Sequence, residues 1–154
     1  MSNIAVIGTG YVGLSSGACF AHLGHVVKCV DVVQLKIDNL NKGILPIVET
    51  GLEELVAEGV AAGKLAFTTD VASAVKNADV VFLCVPTPEG ADGSADLSYI
   101  QTAARTLSPL LRSGAVVVNK STVPVGSTKV VEQELKRPDI AVVSNPEFLR
   151  EGSA

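Results

Sequence analysis

The sequence predicts an α/β protein built on a parallel sheet with helices on both faces, and three features of the chain carry that prediction. Apolar runs of strand length alternate with stretches of helical character along the whole chain. The first run leads directly into a glycine-rich turn, and the second ends in an aspartate. Parallel strands need crossovers that cover the sheet, and helices usually supply them. The best fit is therefore a doubly wound, mostly parallel Rossmann-type sheet.

The first half of the chain holds three predicted strands. Residues 3–8 (NIAVIG) are continuous and rich in β-branched side chains, as expected for a strand buried on both faces. Thr50 and Glu53 have the Thr-x-x-Glu spacing of a capping box, which predicts a helix start. The predicted elements are a strand at 3–8, a helix at 11–24, a strand at 26–31, helices at 32–43 and 51–63, and a strand at 64–69.

The second half continues the alternation with three more strands. Asp70 and Asp96 each precede a stretch of helical character, where an aspartate side chain accepts hydrogen bonds from the first N–H groups of a helix. The predicted elements are a short helix at 71–78, a strand at 79–85, a helix at 97–114, a strand at 115–121, a helix at 127–136 and a strand at 139–144.

Composition limits the classes of function. With 154 residues, 47% of them hydrophobic and 18% charged, the chain has the length of one domain and the make-up of a compact fold. Its net charge of −4 gives no basic footprint for nucleic acid or for an anionic membrane. The N-terminal run is broken by glycine and lacks the basic start of a signal peptide. We expect a cytoplasmic protein with no nucleic-acid or membrane partner.

The cysteines indicate neither a disulfide framework nor a metal site. Cys19, Cys29 and Cys84 are widely spaced and odd in number. Cys19 and Cys29 fall within a predicted helix and a predicted strand, where a small core residue is the simpler interpretation. Cys84 ends the fourth strand with no adjacent base, so no catalytic role is assigned to it.

A glycine-rich turn joins the first predicted strand to the first predicted helix. Gly8 permits the tight turn, Gly10 lets the backbone approach a pyrophosphate, and Gly13 allows the helix to pack closely on the strand. The phosphates then lie at the helix N-terminus, where backbone N–H groups face them. Alone, the spacing also fits a plain turn between strand and helix. The full turn reads Gly8, Thr9, Gly10, Tyr11, Val12 and Gly13.

Asp31 strengthens the dinucleotide interpretation, because it ends the second predicted strand eighteen residues after Gly13. A carboxylate at that place accepts hydrogen bonds from an adenosine ribose, although it could instead cap the next helix. Its charge repels a 2′-phosphate, so the sequence favours NAD over NADP. Lys36, five residues further on, either reaches the ribose and phosphate region or is a solvated helix lysine.

The other strand ends belong to the same edge of the predicted sheet, because ligands of such sheets bind outside the carboxyl ends of the strands. The fourth, fifth and sixth strands end at residues 84–88, 120–126 and 145–147. Each of these segments contains proline or glycine together with a hydroxyl or carboxylate side chain. We expect them to shape a crevice on the same side as the glycine turn.

Five segments carry a family resemblance: IAVIGTGYVGL, GLEELVAEGVAAGKLAFTTD, GSADLSYI, KSTVPVGS and NPEFLREGSA. Together they resemble the N-terminal NAD-binding domain of the UDP-glucose/GDP-mannose dehydrogenase family. The resemblance runs from Ile4 to Ala154, and several motifs in one order make it specific. The segment STVPVGS is more similar to the UDP-glucose branch than to the GDP-mannose branch, which tends to place leucine and then proline after the valine.

The resemblance implies an enzyme, an NAD-dependent nucleotide-sugar 6-dehydrogenase. Members oxidise the C6 alcohol of UDP-glucose to the carboxylate of UDP-glucuronate with two NAD⁺, through a thiohemiacetal and then a thioester on a cysteine. In family chains that cysteine lies in a later domain. We therefore expect residues 1–154 to be the NAD-binding Rossmann domain of a longer homodimeric or larger enzyme, without its central helix and C-terminal nucleotide-sugar domain, and unable to turn over alone.

The resemblance also implies roles for individual positions. Glu147 matches the family's catalytic glutamate, Thr122 matches a threonine that orients the reacting water, and Glu151 matches a residue that contacts NAD. The positions implied for NAD are Gly8, Thr9, Gly10, Tyr11, Val12, Gly13, Asp31, Lys36, Val85, Pro86, Thr87, Pro88, Glu89, Ser121, Thr122, Val123 and Glu151. The positions implied for the nucleotide sugar are Glu147, Phe148, Leu149, Arg150 and Glu151.

Two alternatives stay open at this point. The first is another nucleotide-sugar dehydrogenase, which acts on GDP-mannose or on a UDP-N-acetylhexosamine. The second is a dinucleotide-sensing module with no chemistry of its own, in which replacing Glu147 by glutamine leaves function intact. A methyl-donor-binding domain is disfavoured, because the three-glycine spacing is paired with Asp31.

Overall fold

The computed structural model describes residues 1–90, 93–124 and 126–147. Strands and helices alternate through this part of the chain, with two helices between the second and third strands. The strands are β1 (Asn3–Ile7), β2 (Val26–Val30), β3 (Leu65–Thr68), β4 (Val80–Leu83), β5 (Val116–Asn119) and β6 (Ala141–Ser144). The helices are α1 (Tyr11–His22), α2 (Gln34–Asn41), α3 (Leu52–Ala61), α4 (Val71–Val75), α5 (Ser98–Leu107) and α6 (Ser127–Leu135).

The six strands form one sheet in the order β3-β2-β1-β4-β5-β6, and every neighbouring pair is parallel. Ile7 at the end of β1 pairs with Val30 of β2 on one side and with Leu83 of β4 on the other. The strand order reverses between β1 and β4, and in such sheets this switch point opens a crevice at the carboxyl edge. The predicted doubly wound Rossmann-type fold is confirmed.

Alternate residues of the central strand feed two separate apolar cores. Ile4 and Val6 pack with buried residues of α1, α2 and α3, whereas Ala5 and Ile7 pack with buried residues of α4, α5 and α6. Each large side chain buried in this way contributes roughly 1.5–3 kcal/mol relative to its exposed state. Because both faces are covered, the carboxyl edge of the sheet is left to carry loops.

Several predicted helix ends differ from the structure. The capping box at Thr50 is wrong: α3 begins after Gly51, which has a left-handed φ of 79°, and no side chain caps it. Asp70 does cap α4, since its Oδ1 accepts a hydrogen bond from Ser73 N at 3.0 Å. Asp96 Oδ1 accepts one from Ser98 N at 2.9 Å, although it precedes the N-cap residue by one position.

The helix predicted over 97–114 ends early, at Leu107. Ser108 keeps right-handed helical dihedrals, but Pro109 interrupts the ladder because proline lacks the N–H that would donate to the carbonyl of residue 105. Cys19 is another correction, because it is exposed on α1 rather than buried against the sheet. Within the described residues, no helix has the length and apolar character needed to cross a membrane.

Candidate functional site

The glycine turn after β1 packs so closely that two of its glycines leave no room for a side chain. Gly8 has a φ of +105°, and its N–H donates to Val30 O at 2.7 Å. A Cβ at Gly8 would overlap the carbonyl of Cys84, and a Cβ at Gly13 would overlap the carbonyl of Gly8. These contacts hold the start of α1 against the ends of β1 and β4, as the sequence predicted for a tight turn and close packing.

Gly10 has the opposite surroundings, because a Cβ built there meets nothing within 4 Å. Gly10 is the N-cap residue of α1, and no side chain caps the helix. The first turn of α1 also contains no acidic residue. A helix start of this kind presents backbone N–H groups and the positive end of the helix dipole to an anion. The open space at Gly10 therefore fits the approach of a pyrophosphate.

Asp31 is buried at the end of β2, where it is held by several donors. Its Oδ2 accepts from Thr9 N at 3.0 Å and from Thr9 Oγ1 at 2.7 Å, and its Oδ1 accepts from Val33 N at 3.0 Å. Lys36 Nζ lies 3.5 Å from Oδ2. Burial alone would raise the pKa of Asp31, but the hydrogen bonds from Thr9 and Val33 and the charge of Lys36 bring it below its ordinary value. The carboxylate is thus ionised at neutral pH.

A crevice of about 540 Å³ opens beside Asp31, between the glycine turn and the first turns of α5. One wall was missed by the sequence prediction, since it comes from helix α5 through Tyr99, Thr102, Ala103 and Thr106. Their spacing of three, four and seven residues, which places them on one helical face, was the available signal. The described residues that line the crevice are Ile7, Gly8, Gly10, Val30, Asp31, Val32, Val33, Lys36, Val71, Cys84, Val85, Pro86, Ser98, Tyr99, Thr102, Ala103, Thr106 and Leu107.

Two hydroxyl groups connect the loops that follow β4 and β5. Ser121 Oγ donates to Val85 O at 2.8 Å, and Thr87 Oγ1 donates to Thr122 O at 2.8 Å. The NAD contacts predicted for Ser121 and Thr87 stay predictions; in this structure both hydroxyls lie within hydrogen-bond distance of backbone carbonyls. Their direct effect is to fix one loop against the other, which sets the position of Thr122 beside the end of β4.

Glu147 follows β6 and is half-buried. Burial raises the pKa of Cys84 to about 12, with Lys120 opposing the shift and the negative charge of Glu147 adding to it. Glu147 is therefore close enough to the end of β4 to influence Cys84 electrostatically. A thiol with this pKa stays protonated at neutral pH and is a poor nucleophile.

The predicted site residues fall into three groups. Gly8, Gly10, Asp31, Lys36, Val85 and Pro86 line the crevice. The remaining described positions, Thr9, Tyr11, Val12, Gly13, Thr87, Pro88, Glu89, Ser121, Thr122, Val123 and Glu147, lie in the glycine turn or in the loops after β4, β5 and β6 without lining it. Phe148, Leu149, Arg150 and Glu151 lie outside the described residues. The roles assigned to individual positions stay predictions.

Comparison with known proteins places this architecture in a family. Residues 2–154 match the UDP-glucose/GDP-mannose dehydrogenase family, NAD binding domain. The chain belongs to this family. It is 54% identical over 156 residues to the UDP-glucose 6-dehydrogenase of Rhizobium meliloti (strain 1021), which covers 98% of this chain and 36% of that enzyme. The chain spans about a third of the length of the curated relatives it matches.

Solved structures of the family have the same fold as this chain. A UDP-glucose dehydrogenase from the hyperthermophilic archaeon Pyrobaculum islandicum superposes with a TM-score of 0.91 at 41% identity, covering 100% of this chain and 38% of that one. A ternary complex of the GDP-mannose dehydrogenase from Pseudomonas aeruginosa superposes with a TM-score of 0.88, also at 41% identity, covering 97% of this chain and 37% of that one.

NAD, the cofactor of this family domain, fits the residues present. The uncapped start of α1 with open space at Gly10 suits the pyrophosphate, and the ionised Asp31 suits ribose hydroxyls. The same carboxylate opposes the 2′-phosphate of NADP. Among the described residues, no group of three or more histidine, cysteine, aspartate or glutamate side chains could hold a metal ion.

Proposed function

We propose that this chain is the NAD-binding portion of a UDP-glucose 6-dehydrogenase. The observation that carries the proposal is the uncapped, open start of α1 lying beside the buried carboxylate of Asp31 in a member of this dehydrogenase family. The choice of UDP-glucose rests on the 54% identity to the Rhizobium meliloti enzyme. The catalytic cysteine, the nucleotide-sugar domain and the dimer contacts are proposed to lie outside residues 1–154.

The residues of this chain have separable tasks in that reaction. When bound, NAD⁺ accepts a hydride from the sugar. The start of α1 offsets the charge of the pyrophosphate, and the backbone at Gly10 leaves room for it. Asp31 accepts hydrogen bonds from the adenosine ribose and opposes a 2′-phosphate. Val85 and Pro86 line the crevice at the end of β4.

In the proposed enzyme the C6 alcohol would give one hydride to NAD⁺ and become an aldehyde, to which the thiol of a cysteine outside residues 1–154 would add. A second hydride transfer, to another NAD⁺, would leave a thioester, and its hydrolysis by water would release the carboxylate and the thiol. An alcohol must lose its hydroxyl proton in the first stage, and water must lose a proton in the last. Glu147 is the proposed proton acceptor, because its half-buried carboxylate lies near the ends of β4 and β6. Thr122, fixed by Thr87, is proposed to orient the water.

The test of this proposal starts with binding. We expect the 154-residue chain to bind NAD more tightly than NADP in titration calorimetry and to form no UDP-glucuronate from UDP-glucose. Gly10→Ala should leave the ligand-free chain folded and destabilise it by no more than about 1 kcal/mol, the effect of alanine at an N-cap, because no atom of the described residues lies within 4 Å of the added methyl group. It should weaken NAD binding about tenfold or more, because the methyl group occupies the pyrophosphate approach and the lost hydrogen bonds to an anion are strong.

Two results would contradict the proposal. If the wild-type chain does not bind NAD, the site is not a dinucleotide site. If residues 1–154 alone form UDP-glucuronate with NAD, the second domain is not required for chemistry. Ser15→Ala is the control, since Ser15 is buried in α1 and its hydroxyl has no hydrogen-bond partner among the residues that the structure describes.

A second candidate substrate is GDP-mannose, because the GDP-mannose dehydrogenase structure is as identical to this chain as the archaeal UDP-glucose dehydrogenase structure. Thermal-shift measurements on the full-length gene product, with UDP-glucose, GDP-mannose and a UDP-N-acetylhexosamine in parallel, separate the candidates. The proposed function predicts that UDP-glucose gives the largest increase in melting temperature. A larger increase with either of the others would reassign the substrate.

A further inference from the structure

The second residue of the glycine turn is linked to the ribose-binding carboxylate by its side chain. Thr9 is completely buried, and its Oγ1 donates to Asp31 Oδ2 at 2.7 Å. Its backbone N–H donates to the same oxygen at 3.0 Å. The Gly-x-Gly-x-x-Gly pattern does not specify the residue at this position, so the pattern alone does not account for a buried threonine that donates its hydroxyl to the acid.

The hydrogen bonds divide the two oxygens of Asp31 between tasks. Oδ2 accepts both donors of Thr9 and faces Lys36 Nζ at 3.5 Å. From the residues that the structure describes, Oδ1 accepts one hydrogen bond, from Val33 N at 3.0 Å. A carboxylate oxygen has about two acceptor positions. Oδ1 therefore keeps acceptor capacity, whereas Oδ2 is committed to the protein.

A single carboxylate thus ties the glycine turn to the end of β2. The turn contains the proposed pyrophosphate contact at Gly10, and β2 ends at the proposed ribose contact. The backbone already joins the two segments, because Gly8 N–H donates to Val30 O at 2.7 Å. Rotation of the carboxylate about its side-chain bonds would instead change the direction in which it meets the ribose. Donors on both oxygens, on two different segments of the chain, oppose that rotation.

We infer that Thr9 is a positioning residue for NAD, whose hydroxyl fixes the Asp31 carboxylate in the orientation that receives the adenosine ribose and excludes a 2′-phosphate. The inference rests on the proposed function of the site, and it reassigns Thr9 from a cofactor contact to a residue that acts through Asp31. The link supplements the backbone hydrogen bond that already joins the two segments.

The experiment removes the hydroxyl and keeps everything else. Thr9→Val retains the side-chain volume and the backbone N–H, and Thr9→Ala is made alongside so that either folded variant suffices. We expect NAD affinity to fall about tenfold, because a hydrogen bond from a neutral donor to a buried charge is among the stronger ones in proteins. We expect the ratio of NAD to NADP affinity to fall as well, and Thr9→Ser to restore both quantities.

A double-mutant cycle separates an effect of Thr9 through Asp31 from a general loss of folded structure. In the Asp31→Ala background, Thr9→Val should cost nothing further in NAD affinity, because the residue through which Thr9 acts is gone. A loss of folding quality would weaken NAD and NADP alike and would add to the effect of Asp31→Ala. Ser15→Ala is the control for removing a buried hydroxyl from this part of the chain, because no described residue forms a hydrogen bond with its Oγ.

The outcomes distinguish this inference from the proposed function. If the wild-type chain binds NAD and Thr9→Val binds it equally well, with unchanged preference over NADP, the inference is wrong and the proposed function stands. An equal penalty in the wild-type and Asp31→Ala backgrounds would also overturn it. If the wild-type chain does not bind NAD, the proposed function itself fails.

Discussion

Asp31 shows how far one residue type at one position determines the charge and the cofactor preference of a site. The sequence places an acidic side chain at the end of a strand and so predicts its charge and its preference for NAD. It does not predict that Thr9 holds that side chain, because these hydrogen bonds depend on how closely the turn after β1 approaches β2. The bond from Val33 N is a local contact, two residues along the chain. Contacts between residues distant in sequence depend on packing, which no local pattern encodes.

Ionisation of Asp31 should make the free energy of unfolding depend on pH in the acidic range. The folded chain holds the pKa of Asp31 below its ordinary value of 3.8, so the unfolded chain takes up the proton first as pH falls. The stabilisation from Asp31 is therefore complete above about pH 4 and is lost as pH falls through the folded-state pKa. Urea unfolding of wild type and Asp31→Asn should show a difference in unfolding free energy that shrinks below pH 4. A constant difference from pH 2 to 7 would contradict this assignment.

At the scale of elements, the alternation of strands and helices was predictable because each strand is an apolar run with a turn residue behind it. The helix starts were less predictable. Thr50 has the spacing of a capping box, yet the chain enters α3 through the left-handed Gly51 directly after it. Glycine adopts that conformation at little steric cost, and the local capping pattern did not account for it.

Helix α1 gives a prediction about the packing of an element on the sheet. A Cβ added at Gly17 would lie 2.5 Å from Cys29 Sγ in β2, which is completely buried. Gly17→Ala should therefore destabilise the chain by roughly 1–3 kcal/mol through overpacking, reduced by up to about 1 kcal/mol from the better helix propensity of alanine. Denaturant unfolding of the purified variant measures the net effect.

Gly17→Ala should no longer destabilise the chain when the side chain of Cys29 is shortened. In a Cys29→Ala background the added methyl group has room, so Gly17→Ala should be neutral or stabilising by up to about 1 kcal/mol. The pair thus forms a cycle in which one substitution destabilises in one background and not in the other. Destabilisation of equal size in both backgrounds would mean that contact with Cys29 is not the cause.

At the scale of the whole molecule, the order β3-β2-β1-β4-β5-β6 gathers the glycine turn, Asp31 and the end of β4 at one switch point. The sequence predicts this edge, because all carboxyl ends of a parallel sheet lie together. It did not predict that α5 closes the crevice, since the path of the loop after β4 decides where that helix sits. The spacing of Tyr99 and Thr106 indicates that they share a helical face, but only the three-dimensional structure shows that this face borders the crevice.

Hydrogen exchange tests this placement of the site across the molecule. NAD added to the chain should slow amide exchange in four separated segments: residues 8–14, 31–36, 84–86 and 98–107, because these border the crevice or the start of α1. The opposite edge gives an internal control: there Asp79 accepts a hydrogen bond from Asn3 N at 2.7 Å and pairs with Arg112. Amide exchange near Asn3, Asp79 and Arg112 should change little beyond the overall stabilisation by bound ligand. Protection that spares residues 98–107 would show that α5 does not contribute to the NAD site.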